Sequence, residues 1–170
     1  ALGYALAFVE LVEQCDALGL APSHVMVSSS SGGTHAGLVA GRALLAGTGR
    51  SLPAVIAIGV ARGDNAGSPD VAALANEALI GAPATATAAD VEIDTRWIGD
   101  DYAVPTAAGD DAVTWAARRG GWMLDRTYTG KGLAGALGLA AEGRFGSDVV
   151  FIHTGGWPAL FAPGGYRSAP

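Results

Sequence analysis

Apolar residues recur at helical spacing from Leu2 to Leu18, with Leu6, Val9, Val12 and, less regularly, Leu18 along one face. Gly19 stands where such a helix stops, so the pattern predicts a helix over 2–18. Val25-Met26-Val27 reads as a short buried strand, and Thr34 to Ala46 as a helix ended by Gly47. Pro53 to Val60 (PAVIAIGV) is a second apolar strand. A helix over 70–80 follows, opened by Ser68 as N-cap and Pro69 in the first turn. Val91 to Ile93 predicts a short strand, and Ile98 to Pro105 a loop. Helices are expected over 110–119 and 130–141, then a last buried strand at Val149 to Ile152 (VVFI).

Continuously apolar strands that alternate with helices predict an α/β fold: a three-layer parallel sheet with helices on both faces, one domain over 1–170. In such sheets ligands bind beyond the carboxyl ends of the strands. Three glycine-bearing turns fall at those ends: SSSSGGTH, ARGDNAG and HTGGWP.

Charge narrows the class of partner. The formal net charge is -6 and no Lys/Arg cluster occurs, which argues against nucleic acid and acidic membranes. No apolar run approaches the ~20 residues that a membrane-crossing helix needs. Cys15 is the only cysteine, which excludes an internal disulfide and suits a reducing cytoplasm. The opening residues Ala1 to Tyr4 do not read as a secretory leader. The chain begins without Met, inside a helix, which is the pattern of a fragment or processed piece.

Ser31-Gly32-Gly33-Thr34 sits where a strand becomes a helix. The first N–H groups of a helix lack internal partners, and its dipole favours an anion there. Glycine lets the backbone approach a ligand, and the hydroxyls add donors. A phosphate monoester fits this stretch; so does an ordinary N-capped helix. It is neither a Walker A loop nor a GxGxxG fingerprint. Tyr128 and Thr129, before the helix over 130–141, offer an aromatic beside hydroxyls. Thr154 offers a hydroxyl at a strand end, and Gly155 gives a planar ligand room. The bland alternatives are a core aromatic and a turn residue.

SSGGTHAGLVAG, YAVP, MLDRTYTGKGLAG and VVFIHTGGWPALF together resemble the D-cysteine desulfhydrase and 1-aminocyclopropane-1-carboxylate deaminase family. These are fold type II pyridoxal-phosphate enzymes, and the likeness runs over nearly the whole chain. It implies that Ser31, Gly32, Gly33 and Thr34 hold the cofactor phosphate, and that Tyr128 packs by the pyridine ring. It implies that Tyr102 is a second active-site tyrosine near the substrate and that Thr154 faces the pyridine nitrogen. The deaminase branch has Glu at the place of Thr129 and Leu at the place of Thr154. YTGK and HTGG therefore resemble the desulfhydrase branch. A neutral threonine holds a ring proton less well than a carboxylate does, which suits β-elimination with a good leaving group. The implied reaction takes D-cysteine to pyruvate, sulfide and ammonia. Cyclopropane deamination and L-cysteate desulfonation are the alternatives within the group.

The resemblance also implies that the Schiff-base lysine lies in an N-terminal segment outside this chain. Lys131, the only lysine, opens a helix and reads as a solvated or loop-bracing residue. This chain alone is then expected to be inactive, and its exposed faces to meet a complementing N-terminal chain or another copy in a homo-oligomer. A reading of another class is a non-catalytic α/β domain that binds a phosphorylated ligand or a partner chain. His35 and His24 are expected to be solvated. His153 reads as buried and hydrogen-bonded, and Trp157 as pocket wall or space filler. No histidine has metal-ligand spacing with carboxylates or Cys15, so no metal is expected.

Overall fold

The computed structural model describes residues 1–61 and 68–161. Five helices and four strands make its frame: α1 (Leu2–Leu18), β1 (His24–Ser29), α2 (Gly33–Leu45), β2 (Ala54–Gly59), α3 (Ser68–Ala78), β3 (Glu92–Asp94), α4 (Ala107–Gly120), α5 (Thr129–Ala141) and β4 (Val149–Ile152). The predicted turn ARGDNAG falls almost wholly outside the described residues.

All strand pairs are parallel, in the order β3-β2-β1-β4. Val25 and Val27 join a core with Phe8, Val12, Leu38, Val39 and Val71, from α1, α2 and α3. Met26, Ile56 and Ile58 point the other way, into a core with Val113, Ala116, Leu133 and Leu139 of α4 and α5. This alternation places helices on both faces, as the unbroken apolar runs require.

The chain steps from β1 to β2 to β3 on one side and then returns across the sheet to β4 beside β1. The strand order therefore reverses between β1 and β4, the place where such sheets open a crevice at the carboxyl ends of the strands. The two edges differ. The edge strand β3 carries Glu92 and Asp94, tied to Arg144 and Arg96. Edge strand β4 is apolar throughout, is only half-buried, and pairs on one side with β1.

Two local expectations change. The first strand is twice as long as Val25 to Val27, because its ladder with β2 runs on to Ser29 opposite Gly59. Ser28 and Ser29 are thus buried strand residues, not turn residues. The buried face of α1 is Ala5, Phe8, Val12 and Cys15, while Leu6 and Leu18 are exposed. Gly37 and Gly41 of α2 decide this. A Cβ on Gly37 would lie 2.4 Å from the Ala1 carbonyl oxygen, and one on Gly41 would lie 2.5 Å from that of Ala5. Only a helix pressed against glycine backbone can come so close, and it does so through its small residues.

Candidate functional site

The crevice at the carboxyl ends of β1 and β4 holds a cavity of about 340 Å³. Its lining joins Ser28 to Thr34, Tyr4, Tyr128, Thr154, Gly155 and Gly156. Residues from distant parts of the sequence meet here because β1 and β4 are neighbours and α5 crosses β1.

One wall is the start of α2. Gly32 is the N-cap at φ 82, a left-handed conformation natural to glycine, and among the described residues no side chain caps the helix. Its first amides are free of the usual hydroxyl or carboxylate acceptor. Ser31, Gly33 and Thr34 lie around that opening. Ser29 lines the cavity as well, and its buried Oγ has no hydrogen-bond partner among the described residues. A buried polar atom left without a partner is costly, and this hydroxyl is a donor at the cavity wall.

The facing wall is the start of α5. Here the buried Asp125 carboxyl takes the amides of Thr127, Tyr128 and Thr129 at 2.8, 2.7 and 2.9 Å. It also accepts the Thr129 hydroxyl at 2.7 Å, and that hydroxyl in turn accepts the Asp125 amide at 2.9 Å. Ser28 Oγ donates to the Tyr128 carbonyl at 3.0 Å and ties this wall to β1. Thr129, offered by the sequence as a hydroxyl beside Tyr128, is fully buried, is engaged by Asp125 and is not among the residues that line the cavity.

Tyr128 lines the cavity, and its hydroxyl contacts that of Tyr102. The two rings meet edge-on, 64° apart in plane with centroids 5.8 Å apart. The hydrogen bond with Tyr102, followed by burial and nearby negative charge, pushes the Tyr128 phenol up to about 12. Tyr102 itself is half-exposed and lies outside the lining.

The third wall follows β4. His153 accepts the Gly155 amide at its Nδ1, 3.1 Å away, so its Nε2 carries the hydrogen that meets the Met123 carbonyl at 2.9 Å. His153 is exposed rather than buried, and its role is to hold the turn that presents Thr154 and Gly155. Gly156 at φ 101 lies against Asp125, where a Cβ would come within 2.3 Å of the carboxyl oxygen. Trp157 lines only a shallow hollow beside the turn.

His35 departs most from expectation. It is fully buried in the first turn of α2, with both ring nitrogens unpartnered among the described residues, and burial lowers its pKa to about 4. His24 is half-buried at the start of β1, its ring tilted against Phe145 at 4.9 Å between centroids. Lys131 is buried too, and it braces a loop through main-chain carbonyls. Tyr4 and Asp125 join the site without a strong local signal in the sequence, and Ser29 joins it as a buried strand residue at the edge of the SSSSGGTH turn. Aspartate four residues before a helix threonine is the kind of local cap that could flag Asp125. Among the described residues, no group of three or more His, Cys, Asp and Glu could hold a metal.

The chain matches the family model for pyridoxal-phosphate dependent enzymes over residues 1–155. This chain belongs to that family. A D-cysteine desulfhydrase of Salmonella typhi is 41% identical over 167 residues, which cover 95% of this chain and 48% of the relative. The D-cysteine desulfhydrase of Salmonella newport is 40% identical over a span of the same length. The chain thus spans about half the length of these curated relatives. A crystal structure of an ACC deaminase homologue superposes with a TM-score of 0.71 at 28% identity, covering 89% of this chain and 45% of the other. A threonine deaminase from T.th. shares the fold, with a TM-score of 0.57 at 18% identity, over 91% of this chain and 57% of that one. The parallel sheet with helices on both faces is therefore that of fold type II pyridoxal-phosphate enzymes. No described helix is long and apolar enough to cross a membrane.

Proposed function

We propose that this chain is the cofactor-cradling part of a longer lyase that releases the β-substituent of a cysteine-like amino acid, with D-cysteine as substrate and pyruvate, sulfide and ammonia as products. The reading rests above all on the convergence of the open α2 start, Tyr128 and Thr154 on one cavity. The similarity to D-cysteine desulfhydrases supports the choice of substrate.

The donor set fits pyridoxal phosphate. The α2 amides with Ser31, Gly32, Gly33 and Thr34 would hold the phosphate, and the orphaned Ser29 hydroxyl adds a donor in the same cavity. Tyr128 would lie by the pyridine ring. Thr154 would face the ring nitrogen with a neutral hydroxyl, and Gly155 leaves the ring space. When bound, this group supplies the electron sink that lets bonds at the amino-acid α-carbon ionise. With its phenol near 12, Tyr128 keeps its proton at neutral pH. It therefore serves as a hydrogen-bond donor and as a store for a proton, held in line by Tyr102. Thr129 contributes indirectly, by fixing the turn that carries Tyr128.

The lysine that would join the cofactor covalently belongs, in this reading, to a preceding segment. Lys131 is unsuited to that task because both of its described hydrogen bonds go to a loop. The apolar, half-buried edge at β4 and the exposed Leu2, Leu6 and Trp157 suit cover by that segment or by another subunit. The single cysteine and the absence of a long apolar helix among the described residues suit a cytoplasmic enzyme.

The test is a direct assay of the full-length enzyme with D-cysteine, L-cysteate and 1-aminocyclopropane-1-carboxylate. Sulfide and pyruvate should form fastest from D-cysteine. Efficient opening of the cyclopropane would overturn the reading of Thr154. The isolated chain should bind pyridoxal phosphate weakly and reversibly, with no borohydride-fixed adduct on Lys131.

A further inference from the structure

Lys131 is the only lysine in the chain, and its side chain is fully buried. An ammonium group in such a place is tolerated only when its donors are satisfied. The side chain leaves the first turn of α5 and passes Gly109 of α4, where a Cβ would stand 3.6 Å from its Cγ. Nζ then donates to the Ile98 carbonyl at 2.6 Å and to the Asp101 carbonyl at 3.1 Å. Burial draws its pKa below the ordinary lysine value, opposed by the charges of Asp101 and Asp100.

The loop between β3 and α4 that it grips is conformationally demanding. Gly99 sits at φ 76, and Ala103 at φ 59 is the only non-glycine residue with positive φ among the described residues. A left-handed alanine is strained and persists where the surroundings hold it. Between these two positions lie Asp101, whose carboxyl accepts the Tyr102 amide at 2.7 Å, and Tyr102, whose hydroxyl meets Tyr128. Tyr128 is the N-cap of α5, in the turn that leads to Lys131. Both ends of the arrangement therefore start from one helix turn: the tyrosine that lines the cavity, and the lysine that holds the loop carrying its partner.

From this geometry we propose that Lys131 is a positioning residue: its grip on the Ile98 and Asp101 carbonyls sets Tyr102 against Tyr128. The inference rests on the reading of Tyr128 as a cofactor-side residue, but its test does not require turnover. Lysine suits the task because a compact ammonium can reach two carbonyls of one loop from a long apolar stem.

The readout is ionisation of the tyrosines in this chain labelled with 3-fluorotyrosine, followed by fluorine NMR. The greater acidity of that residue brings the titrations below denaturing pH, and Tyr102→Phe and Tyr128→Phe assign the signals. Tyr102→Phe should lower the Tyr128 pKa by about 1–2 units toward the ordinary phenol value. Lys131→Met should produce the same drop, and the double variant Tyr102→Phe/Lys131→Met no further drop. A folded Lys131→Met protein whose Tyr128 still titrates as in the parent would overturn the proposal. Where Lys131→Met fails to fold, the unsubstituted protein decides. Nitrogen-labelled lysine gives one side-chain signal, and its ammonium protons should exchange with water far more slowly than those of a solvated lysine. Exchange as fast as that of a solvated lysine would sink the idea without any substitution. Pyridoxal phosphate binding, measured separately on the unsubstituted protein, distinguishes the failures: binding with a Tyr128 titration unaltered by Lys131→Met counts against the positioning role alone, whereas no binding with the tyrosine coupling intact counts against the functional reading.

Discussion

Two helix starts face each other across the cavity, and they treat their free amides in opposite ways. At α5 the Asp125 carboxyl collects three backbone N–H groups and the Thr129 hydroxyl. That end is closed to an anion, because an aspartate already occupies the positive end of the helix dipole. At α2, among the described residues, no side chain caps the helix and the Ser29 hydroxyl is unpartnered, while Gly32 adopts a left-handed turn. That end is open. The same element of secondary structure thus builds a rigid wall on one side and an uncapped helix start on the other, which in the proposed reading is the anion cradle. What separates them is whether the sequence supplies its own acceptor. The difference favours α2 for the phosphate and leaves α5 to hold Tyr128.

The largest expected effect lies on the closed side. Asp125→Ala would strand three amides and a hydroxyl in a buried place, at about 1–3 kcal/mol for each unsatisfied group before relaxation. A loss of roughly 4 kcal/mol in urea unfolding is expected, and a loss below about 1 kcal/mol would show that the carboxyl is not what closes this helix.

His35 gives the next effect, on the inner face of the open helix. Its pKa is about 4 in the folded chain and 6.5 as the ordinary value for the unfolded one. The unfolded state therefore binds the proton first as pH falls. The stabilisation is complete above pH 6.5 and is lost as pH drops through about 4. The contribution is on the order of 3 kcal/mol. Unfolding free energies at neutral and mildly acid pH should show this slope, and His35→Leu should flatten it. A slope unchanged in that variant would mean that carboxyl groups alone carry the acid sensitivity.

Two smaller changes probe the open side. A Cβ on Gly33 meets no atom within 4 Å, so Gly33→Asp is sterically tolerated. It supplies α2 with the acceptor it lacks and places negative charge at the cradle. Pyridoxal phosphate binding should weaken by at least ~10-fold, while binding of pyridoxal without the phosphate should change little. Equal losses for both ligands would remove the phosphate from this end. Ser31→Ala deletes one exposed hydroxyl, and about a two- to fivefold loss of pyridoxal phosphate affinity is expected by the same measurement.

Much of this site can be read from local sequence, and the misses share a cause. The SSSSGGTH turn and HTGG stand out as polar or glycine-rich breaks at strand ends, and Tyr128 as an aromatic among hydroxyls before a helix. Local reading puts Ser28 and Ser29 in the turn because serine is a weak strand former, yet the ladder with β2 overrides that preference. A histidine at a helix start is ordinarily solvated, and His35 is not. Its burial depends on how α2 packs against the sheet and α1, which no local pattern reports. Periodicity points Leu6 inward, whereas contact through Gly37 and Gly41 turns Ala5 and Phe8 inward instead.

Hydrophobic period and the punctuation by glycine and hydroxyl residues are local properties of the chain. They were enough to specify the alternation of strands and helices, the parallel sheet, and the residue types available at each turn. Three outcomes came from the folded arrangement alone: which turns share a cavity, which helix start stays open to an anion, and how Asp125, Lys131 and Tyr102 brace the turn and loop around Tyr128. These depend on strand order and on contacts between residues far apart along the chain, where packing rather than propensity sets the energy.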